Sequence, residues 1–364
     1  MRIESLQLKD FRNIEELALT PRPGVNVIWG DNGQGKTNLV EGIWMFTGGR
    51  SLRGSTQGEL IRFGCKSARL EITFEAGGRR QTAVMKLGGK KTVLLNDIPL
   101  KSASELAGVF PAVVFSPDHL SLVKEGPALR RRFLDDAICQ LYPRYGRYLS
   151  DYNRVLTQRT AVLEEVWRSP SAVYLLEVWD DHFVRLNRAL LRLRQRFARR
   201  LAEAALPIYA GISGEKEVFA AQYVPTLDLP EELDTAEAEE HIREQLLAVR
   251  EEDIRMHAST IGVHRDDLEI TLNGNSARSF GSQGQQRSCA LALKLAECQL
   301  LEEITGERPI ILLDDVLSEL DAGRREWLLG GIGGSQVFLT CCDPAGLEGL
   351  EHGRFHIRAG RLAD

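Results

Sequence analysis

The stretch best equipped for chemistry is Gly30-Asp31-Asn32-Gly33-Gln34-Gly35-Lys36-Thr37, which fits the pattern G-x-x-x-x-G-K-[ST] of a phosphate-binding loop. Glycines let successive backbone amides turn onto phosphate oxygens. Lys36 brings a cation to the β and γ oxygens, and Thr37 offers a hydroxyl to Mg²⁺. The loop stands between the apolar run 25–29 and the amphipathic segment 37–46, the strand–loop–helix order this chemistry requires. A second constellation is Ile310-Ile311-Leu312-Leu313-Asp314-Asp315, four apolar residues ending in two acids. At the end of a buried strand, Asp314 would orient Mg²⁺ together with Thr37, and Asp315 would polarise an attacking water.

A third constellation, Phe280-Gly281-Ser282-Gln283-Gly284-Gln285-Gln286-Arg287, opens a helical stretch. Ser282 and Gln285 satisfy S-x-x-Q, the pattern of a helix capping box, so a purely local role is open to them. Gly284, within the first turn, costs helix stability and is useful where a phosphate must approach backbone amides. With Ser318-Glu319-Leu320-Asp321 just after the two acids, the set resembles the head of an ABC-type ATPase. That resemblance implies that Ser282, Gly284 and Gln285 of one subunit close over ATP held by the phosphate loop of another.

The elements that must position these residues follow a β, α, β/α order. Residues 1 to about 115 alternate in short strands broken by Gly pairs and Asn-Asp turns, with one clear helix after Lys36. From about 127 to 258 the period is helical, divided by a loop near Pro225 to Pro230. A hairpin at 268–275, a helix from about 283 to 301 and strands at 310–313 and 337–340 follow. The expected fold is α/β: an ABC-type head, discontinuous over 1–120 and 258–364, with a mixed sheet and a β-rich lobe, interrupted by a mainly helical domain at 121–257. A pair of helices of ~35 residues reaches only ~50 Å, so the long coiled-coil arms of chromosome-structure ATPases do not fit.

The ordered series of motifs resembles the bacterial RecF family across nearly the whole chain. It is carried by Leu8-Lys9-Asp10-Phe11-Arg12-Asn13, Asn32 and Asn38 around the phosphate loop, Phe115-Ser116-Pro117-Asp118 and Leu129-Arg130-Arg131-Arg132-Phe133-Leu134-Asp135. Gly262-Val263-His264-Arg265-Asp266-Asp267, Ser282 to Gln286 and Leu313 to Asp321 complete it. The resemblance implies a cytoplasmic recombination mediator that binds ATP and Mg²⁺ and forms a homodimer on ATP. It further implies binding of duplex DNA near single-strand gaps, weak DNA-dependent hydrolysis as a switch, and a role in DNA replication, repair and the SOS response. RecO and RecR are the implied partners and RecA the recombinase loaded. The competing expectation is the ATPase subunit of a membrane transporter. Against it, Thr340 stands where transporter ATPases carry a switch histidine, and Pro117-Asp118 where they carry a loop glutamine. Asp118 is open to two roles, watching Mg²⁺ or capping a helix. Val263 replaces the proline more usual in the family.

Composition adds boundaries. The chain of 364 residues has a formal charge of −5, so a nucleic-acid partner must be held by a local patch. Seven arginines and no acid lie between Asp181 and Glu203. Arg185, Arg188, Arg192, Arg196 and Arg199 recur every three or four residues as one helical stripe, opposite Phe183, Leu186, Leu190, Leu193, Phe197 and Leu201. The stripe is either a solvated face or a contact for the phosphates of duplex DNA; no aromatic residues interleave with it for stacking on bases. The acidic stretch 228–240 is expected to be a solvated loop and helix face, with a protein-partner surface as the alternative. Six scattered cysteines without a C-x-x-C are expected to be reduced core thiols, and no apolar run is long enough to span a membrane.

Overall fold

The structure is a computed structural model that describes residues 1–49, 51–345, 347 and 352–363. Its central sheet has the strand order Ala112–Phe115, Ile310–Asp314, Val337–Cys341, Val25–Trp29, Gly353–Arg358, Arg361–Ala363. All neighbours are parallel except the final hairpin pair. Near-continuous apolar runs such as Ile310–Leu313 suit strands covered on both faces, and those four side chains are fully buried. The register aligns Asp314 with Thr340 and Cys341 with Trp29, so the acid pair, Thr340 and the start of the phosphate loop share one carboxyl edge. In open α/β sheets that edge is where ligands bind.

A second, antiparallel sheet runs Ile14–Leu19, Arg2–Phe11, Ala68–Ala76, Arg79–Leu87, Thr92–Leu95, Ile98–Leu100. Its inward residues change parity between Ile3 and Leu6. The register shift between Ile3 and Ser5 absorbs the extra residue, so Ile3, Leu6 and Leu8 all reach the core. Asn96-Asp97 turns one hairpin of this sheet with both φ values positive, the geometry that twisted two-residue hairpins demand.

The helical part contains Pro127–Leu141, Pro143–Arg168 and Val173–Ser213. The last has 41 residues, about 60 Å of helix, longer than the expected half of a matched pair. Its partner, Pro143–Arg168, is shorter at 26 residues. Within this helical region lies a strand, Phe219–Val224, which pairs antiparallel with Asp267–Leu272 beside the short strand Asn275–Ser276. The sequence predicts only a helix end and a loop there, because a six-residue alternation is weak against a helical background and its partner lies beyond the next two helices. Arg159, fully buried, donates to Asp180 at 2.8 Å, Asp253 at 2.7 Å and Ser259 at 2.7 Å, tying three helices to the loop that returns to the sheet. None of the six cysteines, all among the described residues, is in a disulfide, but only Cys289 and Cys298 are core thiols. Cys342 is exposed and the other three are half-buried, which corrects the expectation for those positions.

Candidate nucleotide-binding site

The strand Val25–Trp29 delivers the chain to Gly30, whose φ of 148° is open only to glycine; a Cβ there would lie 2.3 Å from the Ile357 carbonyl oxygen. Gly35, at φ 112°, leads directly into the helix Lys36–Trp44 with no side-chain cap and no acid in its first turn. The open amides and dipole of that terminus favour an anion. Neighbouring segments clamp the loop. Asn13 Nδ2 donates to Gly33 O at 3.3 Å, Asn38 Nδ2 to Asn13 Oδ1 at 2.8 Å, and the Gly360 amide to Gln34 O at 2.8 Å. The Ala359 amide meets Gln34 Oε1 at 2.6 Å, and Cys342 Sγ donates to Asn32 Oδ1 at 3.1 Å. Lys36 is buried, its ammonium folded onto its own loop, donating to Gly30 O at 2.5 Å and Asp31 O at 3.0 Å.

The second half of the site comes from two adjacent strands. Thr37 Oγ1 donates to Asp314 Oδ1 at 2.9 Å. Thr340 Oγ1 donates to the same oxygen at 2.8 Å and accepts from the Asp315 amide at 2.9 Å. Burial pushes the Asp314 carboxyl above its ordinary value, while these two hydroxyls and the nearby Arg53 pull the other way. Asp315 is exposed, with a left-handed backbone at φ 52° that turns the chain sharply away from the strand. A threonine hydroxyl and a carboxylate brought together are hard oxygen donors, a set that fits Mg²⁺ held jointly with phosphate and water.

The structure therefore brings Gly30 to Thr37 together with Asp314 and Asp315. It also gives Thr340 a task that the sequence reading, concerned with a missing histidine, did not assign. No motif marks that task; only the strand register Asp314↔Thr340 could have shown it. Of the two roles open to Asp118, capping is taken by Ser116, whose side chain accepts from the His119 amide at the head of Pro117–Leu120. Asp118 instead lines a cavity shared by Thr37, Arg53 and Asp314 with the apolar side chains of Leu52 and Phe133.

Ser282 and Gln285 do form a capping box on the helix Gln283–Thr305: the Gln285 amide donates to Ser282 Oγ at 3.2 Å and the Ser282 amide to Gln285 Oε1 at 2.6 Å. Gly284 has a packing reason too, because Arg324 Nη2 donates to its carbonyl at 2.7 Å and would lie 2.9 Å from a Cβ. Arg324 also donates to Ser288 and pairs with Asp321, and Arg287 bonds Glu319. The S-x-L-D loop and the S-x-G-Q turn are thus one braced unit. Among the described residues, no hydrogen bond of Ser282, Gly284 or Gln285 reaches the phosphate loop of its own chain.

The arginine stripe is less free than expected. Arg188 pairs with Glu239 at 3.0 Å, Arg199 pairs with Glu231, and Arg192 donates to Leu233 O at 3.0 Å. The acidic stretch is a solvated face, with Asp228, Glu231, Glu232, Asp234, Glu237 and Glu240 exposed, and Glu231 and Glu239 in addition reach across to the stripe. Arg185 and Arg196 stay exposed. Arg130, Arg131 and Arg132 serve internal contacts: Arg130 is bidentate on Asp267 at 2.7 and 2.8 Å, Arg131 donates to Asp266 O at 2.7 Å, and Arg132 to Ser51 O at 2.9 Å.

A phosphate loop on a parallel sheet beside an antiparallel lobe, an acid pair two strands away and a braced S-x-G-Q helix define an ABC-type P-loop ATPase head. The same fold relates the chain to an Smc head bound to the C-winged helix domain of ScpA, at TM-score 0.54 and 16% identity. Residues 2–350 match the RecF/RecN/SMC N terminal domain family. DNA replication and repair protein RecF of Acetivibrio thermocellus is 38% identical over 366 residues, covering 99% of both chains. The RecF of Heliobacterium modesticaldum is 40% identical over 370 residues, 100% of this chain and 99% of that protein. A solved structure described as the recombination mediator protein RecF-ATPrS in the RecFOR pathway matches at TM-score 0.91 and 32% identity, over 99% of this chain and 97% of the other. Its RecF-ATP counterpart matches at 0.89 over 100% and 97%. The chain belongs to the RecF family. The transporter alternative finds no support in these relatives. Among the described residues, no helix is long and apolar enough to cross a membrane.

Proposed function

We propose that this chain is an ATP-switched recombination mediator: ATP joins two heads, the joined heads hold duplex DNA near a gap, and slow hydrolysis releases them. In this reading 1–120 with 258–364 form the head and 121–257 the arm, and the protein works in the cytoplasm with RecO and RecR to load RecA during repair and the SOS response. The observation that carries the dimer is that the S-x-G-Q turn is braced from behind yet makes no bond to its own phosphate loop. A second copy supplies what each half lacks.

Binding then proceeds through this chain's own groups. Lys36 leaves the Gly30 and Asp31 carbonyls for the β and γ oxygens, and the amides of 33–37 receive the phosphates. Thr37 and Asp314 would hold Mg²⁺, which when bound offsets charge on the phosphate oxygens. Thr340 keeps the Asp314 carboxylate aimed and fixes the Asp315 amide. Asp315, exposed at the strand end, orients water and accepts its proton.

Two mutants mixed together test this. Lys36→Met should lose ATP binding or closure, and Ser282→Arg should bind ATP yet fail to dimerise or hydrolyse it. Their heterodimer has one site with both defects and one with an intact phosphate loop and an intact signature, so mixing should recover a dimer or ATPase signal that neither gives alone. A Ser282→Arg protein that dimerises and hydrolyses normally would return the serine to a helix cap. Asp315→Asn should bind ATP, hydrolyse it more slowly and prolong the dimer; normal turnover would place the base elsewhere.

A further inference from the structure

Gln285, in the S-x-G-Q turn, makes a second bond that the capping box does not require: its Nε2 donates to Glu217 Oε1. The other oxygen of that carboxylate accepts from the hydroxyl of Tyr209. Tyr209 is fully buried in the last turns of the long helix Val173–Ser213 and stacks on Phe219 with ring centroids 5.1 Å apart. Glu217 is held on a short, fixed turn. The helix ends in Gly214 and Glu215, both left-handed, with the Glu215 amide bonded to Ala210 O at 2.8 Å. One residue beyond Glu217, Val218 exchanges two 2.8 Å bonds with Asn273. Nearby, Trp327 of the helix Ala322–Gly331 packs so closely on Gly211 that a Cβ there would lie 2.3 Å from its ring. The end of the long helix therefore reaches the S-x-G-Q turn through Glu217 and packs directly on the helix that follows the S-x-L-D loop.

We infer that Glu217 is a positioning residue for the composite ATP site: it orients Gln285 from behind and links the signature to the end of the long helix through Tyr209. The inference rests on the proposed reading of Ser282 to Gln285 as an element that acts on a second copy. A glutamine amide can spend both its oxygen and its nitrogen on such a relay. Here the nitrogen is committed to Glu217, so the oxygen is left to cap the Ser282 amide. Removing the carboxylate frees the side chain to rotate and loosens the turn that must meet the partner's nucleotide, with no direct effect on the phosphate loop.

The test uses Glu217→Ala and Glu217→Gln in the full chain. Glu217→Ala should bind a fluorescent ATP analogue as the native chain does, yet dimerise on ATP about tenfold more weakly, the loss expected for a missing charge-assisted bond. Glu217→Gln, whose amide accepts from Gln285 and donates to the Tyr209 oxygen, should restore most of it. Mixing decides the role: Glu217→Ala should complement Lys36→Met and fail to complement Ser282→Arg, because the first pair leaves one whole site and the second leaves none. Native-like dimerisation by Glu217→Ala, failure to complement Lys36→Met, or complementation of Ser282→Arg overturns the inference. Should Glu217→Ala melt well below the native chain, Tyr209→Phe keeps the ring stack, removes one bond to the carboxylate and should fall in the same complementation group. If Ser282→Arg itself dimerises normally, the composite-site reading fails first, whatever Glu217 does.

Discussion

Thr340 shows how a residue can be misjudged by its neighbours in sequence. Compared with transporter ATPases it is a vacancy for histidine; in the structure its single hydroxyl donates to Asp314 and accepts from the Asp315 amide. It therefore fixes the direction of one acid and the backbone that presents the other. Thr340→Val keeps the shape and removes both bonds, leaving a half-buried carboxylate short of a donor. Hydrolysis should fall about tenfold, a cost of roughly 1–2 kcal/mol at the carboxylate, while ATP binding changes little. Thr340→Ser should keep most of the activity. Single-turnover hydrolysis alongside nucleotide titration separates the two, and equal rates for Val and native protein would strip Thr340 of this role. Lys36, Thr37 and Asp314 were legible because their spacing to strand ends is local and their chemistry allows few substitutes. Thr340 was not, since its task is created by a pairing between strands that the chain order separates by a helix.

Elements were legible where their signal repeats along the chain. The helix Gln283–Thr305 announced itself by its cap, and the parallel strands by unbroken apolar runs. The strand Phe219–Val224 was hidden because its stability comes from Asp267–Leu272 and not from its own six residues. Arg159 was hidden for the opposite reason: on a helix with many exposed arginines, nothing local separates the one at the centre of the arm from the rest. Its removal is the sharpest stability test of the helical region. Arg159→Met leaves Asp180 with Arg250 at 2.8 Å, and Asp253 with the Thr260 amide at 2.8 Å and hydroxyl at 2.6 Å. Because each acid retains a donor, the loss should lie near the low end for a broken buried pair, about 3 kcal/mol. Urea unfolding followed by circular dichroism measures it, and a change below about 1 kcal/mol would mean that the network adds no net stability.

At the scale of the whole molecule, charge decides where a duplex can lie. The chain is net acidic, and the dense basic stripe is met at Arg188, Arg192 and Arg199 by the acidic stretch that follows the strand Phe219–Val224. Both stretches could be read in sequence as solvated faces; their packing against each other could not, because it depends on how the long helix and Thr235–Ala248 are folded together. Two outcomes separate a phosphate-binding face from an internal electrostatic seam. If duplex phosphates meet the exposed end groups, Arg185→Gln with Arg196→Gln should weaken binding and flatten the slope of log affinity against log salt by up to about 0.9 per lost contact. In the same reading Glu231→Gln with Glu239→Gln frees Arg199 and Arg188 for DNA, so affinity should rise and the slope steepen. If the stripe only holds the acidic segment, the arginine pair leaves the slope unchanged. The glutamate pair then does no more than lower stability by a few tenths of a kcal/mol, as expected for half-exposed ion pairs. Binding of a blunt and a gapped duplex at two salt concentrations, with and without ATP, reads both variants in one experiment. An unchanged slope in both would move the search for the DNA surface away from the long helix.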